Sequence, residues 1–175
     1  MPTKRLNWIP LMTAALALAA FAVHSEELHF TAKLSGTAQL PEPTNSKATG
    51  ELNLTVPDGG KKISYTLTVT DLQNATTAEL HLGSPTINGP VIFKLFPAHG
   101  ATAKKGAFSG VLAEGTITAA DMLGPMAGSP LSDLIDELRA GNAYLNIHTN
   151  DGMDPPESGP GDYRKGEIRG QITMK

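Results

Sequence analysis

The chain has 175 residues, a mass of 18.4 kDa and a formal net charge of −3. That length suits one domain and excludes two domains with separate cores. No cysteine is present, so disulfides, thiolate metal sites, iron–sulfur clusters and cysteine nucleophiles are excluded. With 18 glycines and 13 prolines against 18% charged residues, the composition points to a turn-rich, all-β domain.

The first 25 residues have the form of an export signal. Lys4 and Arg5 supply the positive start, Leu11 to Val23 the apolar run, and small residues offer cleavage after Ala22 or Ser25. The run is short for a membrane span. Residues 26–175 are then a single exported domain, periplasmic or extracellular. Loss of Lys4 and Arg5 lowers Lys plus Arg from 14 to 12 against 17 Asp plus Glu, a net charge of −5. An acidic domain without a basic run is not expected to bind nucleic acid, and no membrane span is expected in the mature protein.

Leu28, Phe30, Ala32 and Leu34 alternate with polar residues and predict a first half-buried strand. A loop follows over 36–50. Leu52, Leu54 and Val56, the turn Pro57-Asp58-Gly59-Gly60, and Ile63, Tyr65, Leu67 and Val69 predict a hairpin. Further strands are expected over 76–82, 90–96 and 107–118, the last bulged at Gly110. One short helix near 130–140 is predicted, capped by Ser129, with Pro130 in the first turn, Leu131, Leu134, Ile135 and Leu138 at helical spacing, and Gly141 as a stop. Strands over 143–149 and 166–174 flank a polar loop. About eight short strands with one helix predict an antiparallel β-sandwich, with a closed barrel capped by the helix as the alternative. Seven aromatics remain after the leader takes Trp8 and Phe21, so the core must be largely aliphatic and offers no stacking shelf for single-stranded nucleic acid.

Three segments together resemble the CHRD domain, a module named for its repeats in chordin and found in exported bacterial proteins. They are Ala78-Glu79-Leu80-His81-Leu82-Gly83 with Asn88-Gly89-Pro90-Val91, Leu138 to Thr149, and Gly166-Glu167-Ile168-Arg169-Gly170-Gln171-Ile172. With Phe30 to Gly36 as the opening strand, the resemblance runs from about Leu28 to Thr173. It implies a β-sandwich-like extracellular module, with a Greek key of the immunoglobulin-like or superoxide-dismutase-like kind, and no defined reaction. Chordin's growth-factor role belongs to a multidomain protein with cysteine-rich modules that this chain lacks. Family members often carry His-x-His where this chain has Glu79-Leu80-His81, and the loop before Gly166 is longer than usual.

Alternation places Ala78, Leu80, Leu145, Ile147, Ile168 and Ile172 toward the core. Glu79, His81, Tyr144, Asn146, His148, Glu167 and Arg169 then fall on opposite faces. Two functions follow. The first is a non-enzymatic binding module, needing no cofactor, that recognises a protein or envelope component through an exposed patch of Tyr144, Asn146, Glu167 and Arg169. The second is a Cu or Zn site of Glu79, His81 and His148, since residues i and i+2 on a strand share a face and two imidazoles with one carboxylate suit those ions. The plainer assignment has the histidines bonded within the sheet and Glu167 paired with Arg169. Asp151, Asp154, Glu157 and Asp162 match no calcium-loop spacing and are expected in a solvated loop. Met122, Met126 and Met153 are expected to pack over an apolar edge rather than to bind copper. No catalytic residues are identified: no nucleophile elbow, phosphate loop or His-Glu-x-x-His motif occurs.

Overall fold

The computed structural model describes residues 27–97, 102–153, 155 and 157–175. The export-signal reading falls on residues 1–25, outside them. Among the described residues no helix is long and apolar enough to cross a membrane.

Among the described residues, eight strands and one short α-helix make the fold all-β. The elements are β1 Leu28–Ser35, β2 Thr49–Val56, β3 Ile63–Leu82, β4 Val91–Phe96, β5 Lys104–Ile117, α1 Leu131–Arg139, β6 Ala143–Thr149, β7 Ile168–Gln171 and β8 Thr173–Met174. Strand order is β2-β1-β7-β6-β3-β4, with β5 on β3, β8 on β1 and a further pairing of β2 with β3. All pairs are antiparallel. The β2–β3 pairing closes β1, β7, β6, β3 and β2 into a hydrogen-bonded ring. The antiparallel β class is as expected; the closed ring is what the pairing adds.

The ring closes because β3 is twice the length expected. Separate strands over 63–69 and 76–82 form one 20-residue strand. Its first half lies between β2 and β5, and its second half between β6 and β4. Asp71 and Asn74, which resemble turn residues in sequence, instead take left-handed backbone conformations (φ 55° and 49°) within the strand. Asn and Asp tolerate that region better than other side chains. Each is a bulge, with register shifts against β5 between Val69 and Leu72 and between Gln73 and Ala75. The inward positions consequently step from Ile63, Tyr65, Leu67 and Val69 to Leu72, Ala75, Ala78 and Leu80, all buried.

The core is aliphatic, as the small number of aromatics requires: Leu34, Leu52, Leu54, Ile63, Leu67, Leu80, Ile92, Leu145 and Ile147 are buried around Phe30. Helix α1 buries Leu131, Leu134, Ile135 and Leu138 as predicted. Its N-cap is Pro130, with no side-chain cap, so Ser129 does not play the expected part. Its end is as read from sequence: Gly141 N–H donates to Leu138 O and Asn142 N–H to Glu137 O, a Schellman closure. Met122 and Met126 belong to this core, whereas Met153 is exposed.

Asn74 also fastens the bend. Its Nδ2 donates to Gly161 O (3.2 Å), and its Oδ1 accepts from Gly106 N–H (2.8 Å). Asn74→Ala removes both bonds and places a Cβ-bearing residue without local compensation at positive φ. It should cost about 2 kcal/mol in denaturant unfolding, and Asn74→Gly less, because glycine adopts the backbone freely. Equal losses for the two variants would show that the conformation at the bulge contributes nothing.

Candidate metal centre

The β3–β6 ladder aligns Thr77 with His148, Glu79 with Asn146 and His81 with Tyr144. Ala78, Leu80, Leu145 and Ile147 fill the core, so the strand period turns Glu79, His81 and His148 to the other face. In this register Glu79 stands between the two histidines: His81 two residues along its own strand, His148 diagonally across on β6. That diagonal is within reach of long side chains. His81 Nε2 lies 3.9 Å and His148 Nε2 3.7 Å from the same oxygen, Glu79 Oε2. One ligand atom from each of the three residues lies within 4.8 Å of the others.

Hydrogen bonding fixes what the imidazoles present. His81 Nδ1 is 2.9 Å from Gly89 O, and His148 Nδ1 is 2.9 Å from Arg164 O. A carbonyl oxygen only accepts, so both Nδ1 atoms carry the proton, and in its neutral form each ring turns an Nε2 lone pair toward Glu79. Those two Nε2 atoms are buried and have no hydrogen-bond partner among the described residues. Glu79 Oε1 is 3.5 Å from Lys94 Nζ, which leaves Oε2 to face the rings. With both rings neutral, three acceptor atoms meet at one point with no donor among them.

Burial favours the neutral form of His81. Desolvation lowers its pKa below the ordinary 6.5; the Gly89 hydrogen bond and Glu79 oppose this, while His148 and Arg169 add to it. A neutral imidazole is the form that binds metal. The side chains are 16% (Glu79), 11% (His81) and 17% (His148) exposed, so the cluster is sheltered but reachable from solvent.

The expected exposed patch is not there. Tyr144, Asn146, Glu167 and Arg169 are only 1%, 6%, 1% and 2% exposed. Alternation assigned the face correctly, but loops cover it. Gln39 Nε2 donates to Asn146 Oδ1 (2.6 Å). Gly166, at φ 129°, packs where a Cβ would stand 2.5 Å from the Asn146 amide. Glu167 is not paired with Arg169; it accepts from Ser46 Oγ, Thr149 Oγ1 and Gly161 N–H at 2.5, 2.6 and 2.8 Å. It therefore joins the 36–48 loop, β6 and the 150–166 loop. Asp162, expected in solvent, is 2% exposed and accepts from Ser158 N–H and Oγ. Asp154 lies outside the described residues. Lys94, Gly89 and Arg164 were missed as neighbours of the cluster. Only Gly89 carried a signal, through the Asn88-Gly89-Pro90 segment.

Gly89 admits no side chain: an added Cβ would stand 1.7 Å from Leu82 O. Gly89→Ala should therefore displace the 83–90 loop and cost on the order of 2 kcal/mol or more in chemical denaturation, and wild-type stability would contradict this packing. Stability should also respond to pH. Because the folded His81 pKa lies below its unfolded value, the unfolded chain takes up the proton first as pH falls below about 6.5. The metal-free protein should lose stability from pH 7 to pH 5, and His81→Gln should lose less. Parallel losses in the two proteins would count against a neutral, buried His81.

The CHRD domain profile matches residues 30–157. No curated protein matches the chain. The matched span takes in Glu79, His81 and His148 and stops short of β7, a narrower extent than the sequence resemblance implied. Covering well over half of the 175 residues, this match shows that the chain belongs to the CHRD domain family.

Proposed function

We propose that this protein is an exported CHRD-domain protein that binds one zinc or copper ion through Glu79 Oε2, His81 Nε2 and His148 Nε2. The observation that carries the reading is the pair of buried, unpartnered imidazole nitrogens directed at one carboxylate oxygen. Burying unsatisfied polar atoms is costly, and a cation among three lone pairs removes that cost. Ligands of a tetrahedral ion with bonds near 2.1 Å stand about 3.4 Å apart, so Glu79 and each histidine need approach by only a few tenths of an ångström. Both rings also donate their other N–H to a carbonyl, the outer-shell arrangement usual for metal-bound histidine. Three protein ligands leave a fourth position to solvent.

We infer a holding role rather than turnover, since among the described residues the cluster holds one carboxylate and two imidazoles, all of them used as ligands. Recognition of a protein or envelope partner through Tyr144, Asn146, Glu167 and Arg169 has lost its main support, an exposed face at those residues.

Zinc and copper(II) titration of the mature protein against a competing chelator tests this. One equivalent should bind, and His81→Ala/His148→Ala should weaken binding by at least about 100-fold. Equal, weak uptake by both proteins would end the metal reading.

A further inference from the structure

We infer that Tyr144 and Arg169 are positioning residues for the metal ligand His81, an inference that rests on the proposed metal site. The observation is a three-layer stack. The His81 and Tyr144 rings are 4.8 Å apart and nearly parallel at 12°. The Arg169 guanidinium lies 3.9 Å from the centroid of the same Tyr144 ring. His81 therefore has an aromatic wall along one face, which restricts rotation of its ring about the Cβ–Cγ bond.

Tyr144 also holds the other determinant of His81, the Gly89 peptide, and Arg169 holds the start of the loop that carries it. Gly89 O accepts from His81 Nδ1. Tyr144 Oη accepts from Gly89 N–H at 3.0 Å and lies 3.4 Å from Gly89 O. Arg169 donates to Ser84 O (3.2 Å) and Pro85 O (3.4 Å) at the start of the 83–90 loop, and to Gln171 Oε1 (3.3 Å). Gln171 Nε2 in turn donates to Gly83 O. Ring plane and tautomer of His81 are thus set by one connected unit.

Arg169 makes little sense as fold stabilisation alone. It is 2% exposed, its Nε has no partner, and no carboxylate among the described residues pairs with it. An apolar side chain of similar volume often serves a core at least as well as a buried ion. What an apolar side chain cannot supply is the planar fork that lies on Tyr144 while donating to two loop carbonyls. The first contact backs the Tyr144 ring that stacks on His81, and the second holds the loop whose Gly89 O bonds His81.

The test uses the mature protein and zinc alone, with copper(II) as a spectroscopic probe. Tyr144→Leu removes the ring and the hydroxyl. It should lower zinc affinity about tenfold, at the lower end for loss of an outer-shell partner, and change the copper(II) electron paramagnetic resonance spectrum. Tyr144→Phe, which keeps the ring between His81 and Arg169, should recover most of the affinity. In a His81→Ala background, Tyr144→Leu should weaken residual binding no further, because its effect passes through that ligand. Arg169→Lys keeps the charge without the fork and should fall between wild type and Tyr144→Leu. A folded Tyr144→Leu with wild-type affinity and spectrum would overturn the positioning role while leaving the metal site standing. An undiminished Tyr144→Leu effect without His81 would do the same. If Tyr144→Leu does not fold, Tyr144→Phe and Arg169→Lys decide: loss with Arg169→Lys and retention with Tyr144→Phe supports the role, and no loss with Arg169→Lys overturns it. No zinc uptake by the wild-type protein would overturn the metal site itself.

Discussion

The antiparallel pairing of the second half of β3 with β6 is the contact on which the rest of the structure depends. It closes the ring, because β3 has already paired with β2 in its first half. It sets Ala78 and Leu80 beside Ile147 and Leu145 in the core. By the same register it sets Glu79, His81 and His148 together on the opposite face. A slip of one residue would exchange the two faces and put three polar side chains into an aliphatic core. The apolar residues therefore hold the polar cluster in register, although they do not touch a ligand atom.

The outer face of a strand in a closed ring meets solvent unless loops cover it. Here β6 is buried along nearly its whole length, with hydrocarbon on one side and a polar layer on the other. That layer is well satisfied: Asn146 meets Gln39, and Glu167 receives two hydroxyls and a backbone N–H. Among the few buried side-chain atoms without a hydrogen-bond partner among the described residues, the two Nε2 atoms are set apart by facing one carboxylate oxygen together. The covering loops shelter the cluster and set its proton arrangement, because Gly89 O and Arg164 O belong to them.

Much of this was legible in the sequence, for local reasons. Two-residue alternation in β1, β2 and β6 and helical spacing in α1 report which side chains share a face, and those assignments held. The strands expected up to Val69 and over 76–82 are one strand because Asp71 and Asn74, whose tolerance of positive φ also suits turns, form bulges inside it. Ser129 misled because Pro130, already extended, occupies the cap position itself. Tyr144 and Arg169 have the residue types of an interface anchor, and alternation carries no information about what folds over a face.

The sequence by itself determined the all-β class, the absence of thiol chemistry, the aliphatic core and the common face of Glu79 and His81. Each follows from composition or from neighbours one or two positions apart. Only the tertiary structure decided that His148 joins them, that Lys94 takes one Glu79 oxygen, and that both imidazoles turn bare nitrogens inward. The proton positions are set by carbonyls 8 and 16 residues from their histidines, on loops whose paths are fixed by closure of the ring. Long-range register and loop cover arise from the simultaneous packing of the whole chain, so no local pattern records them.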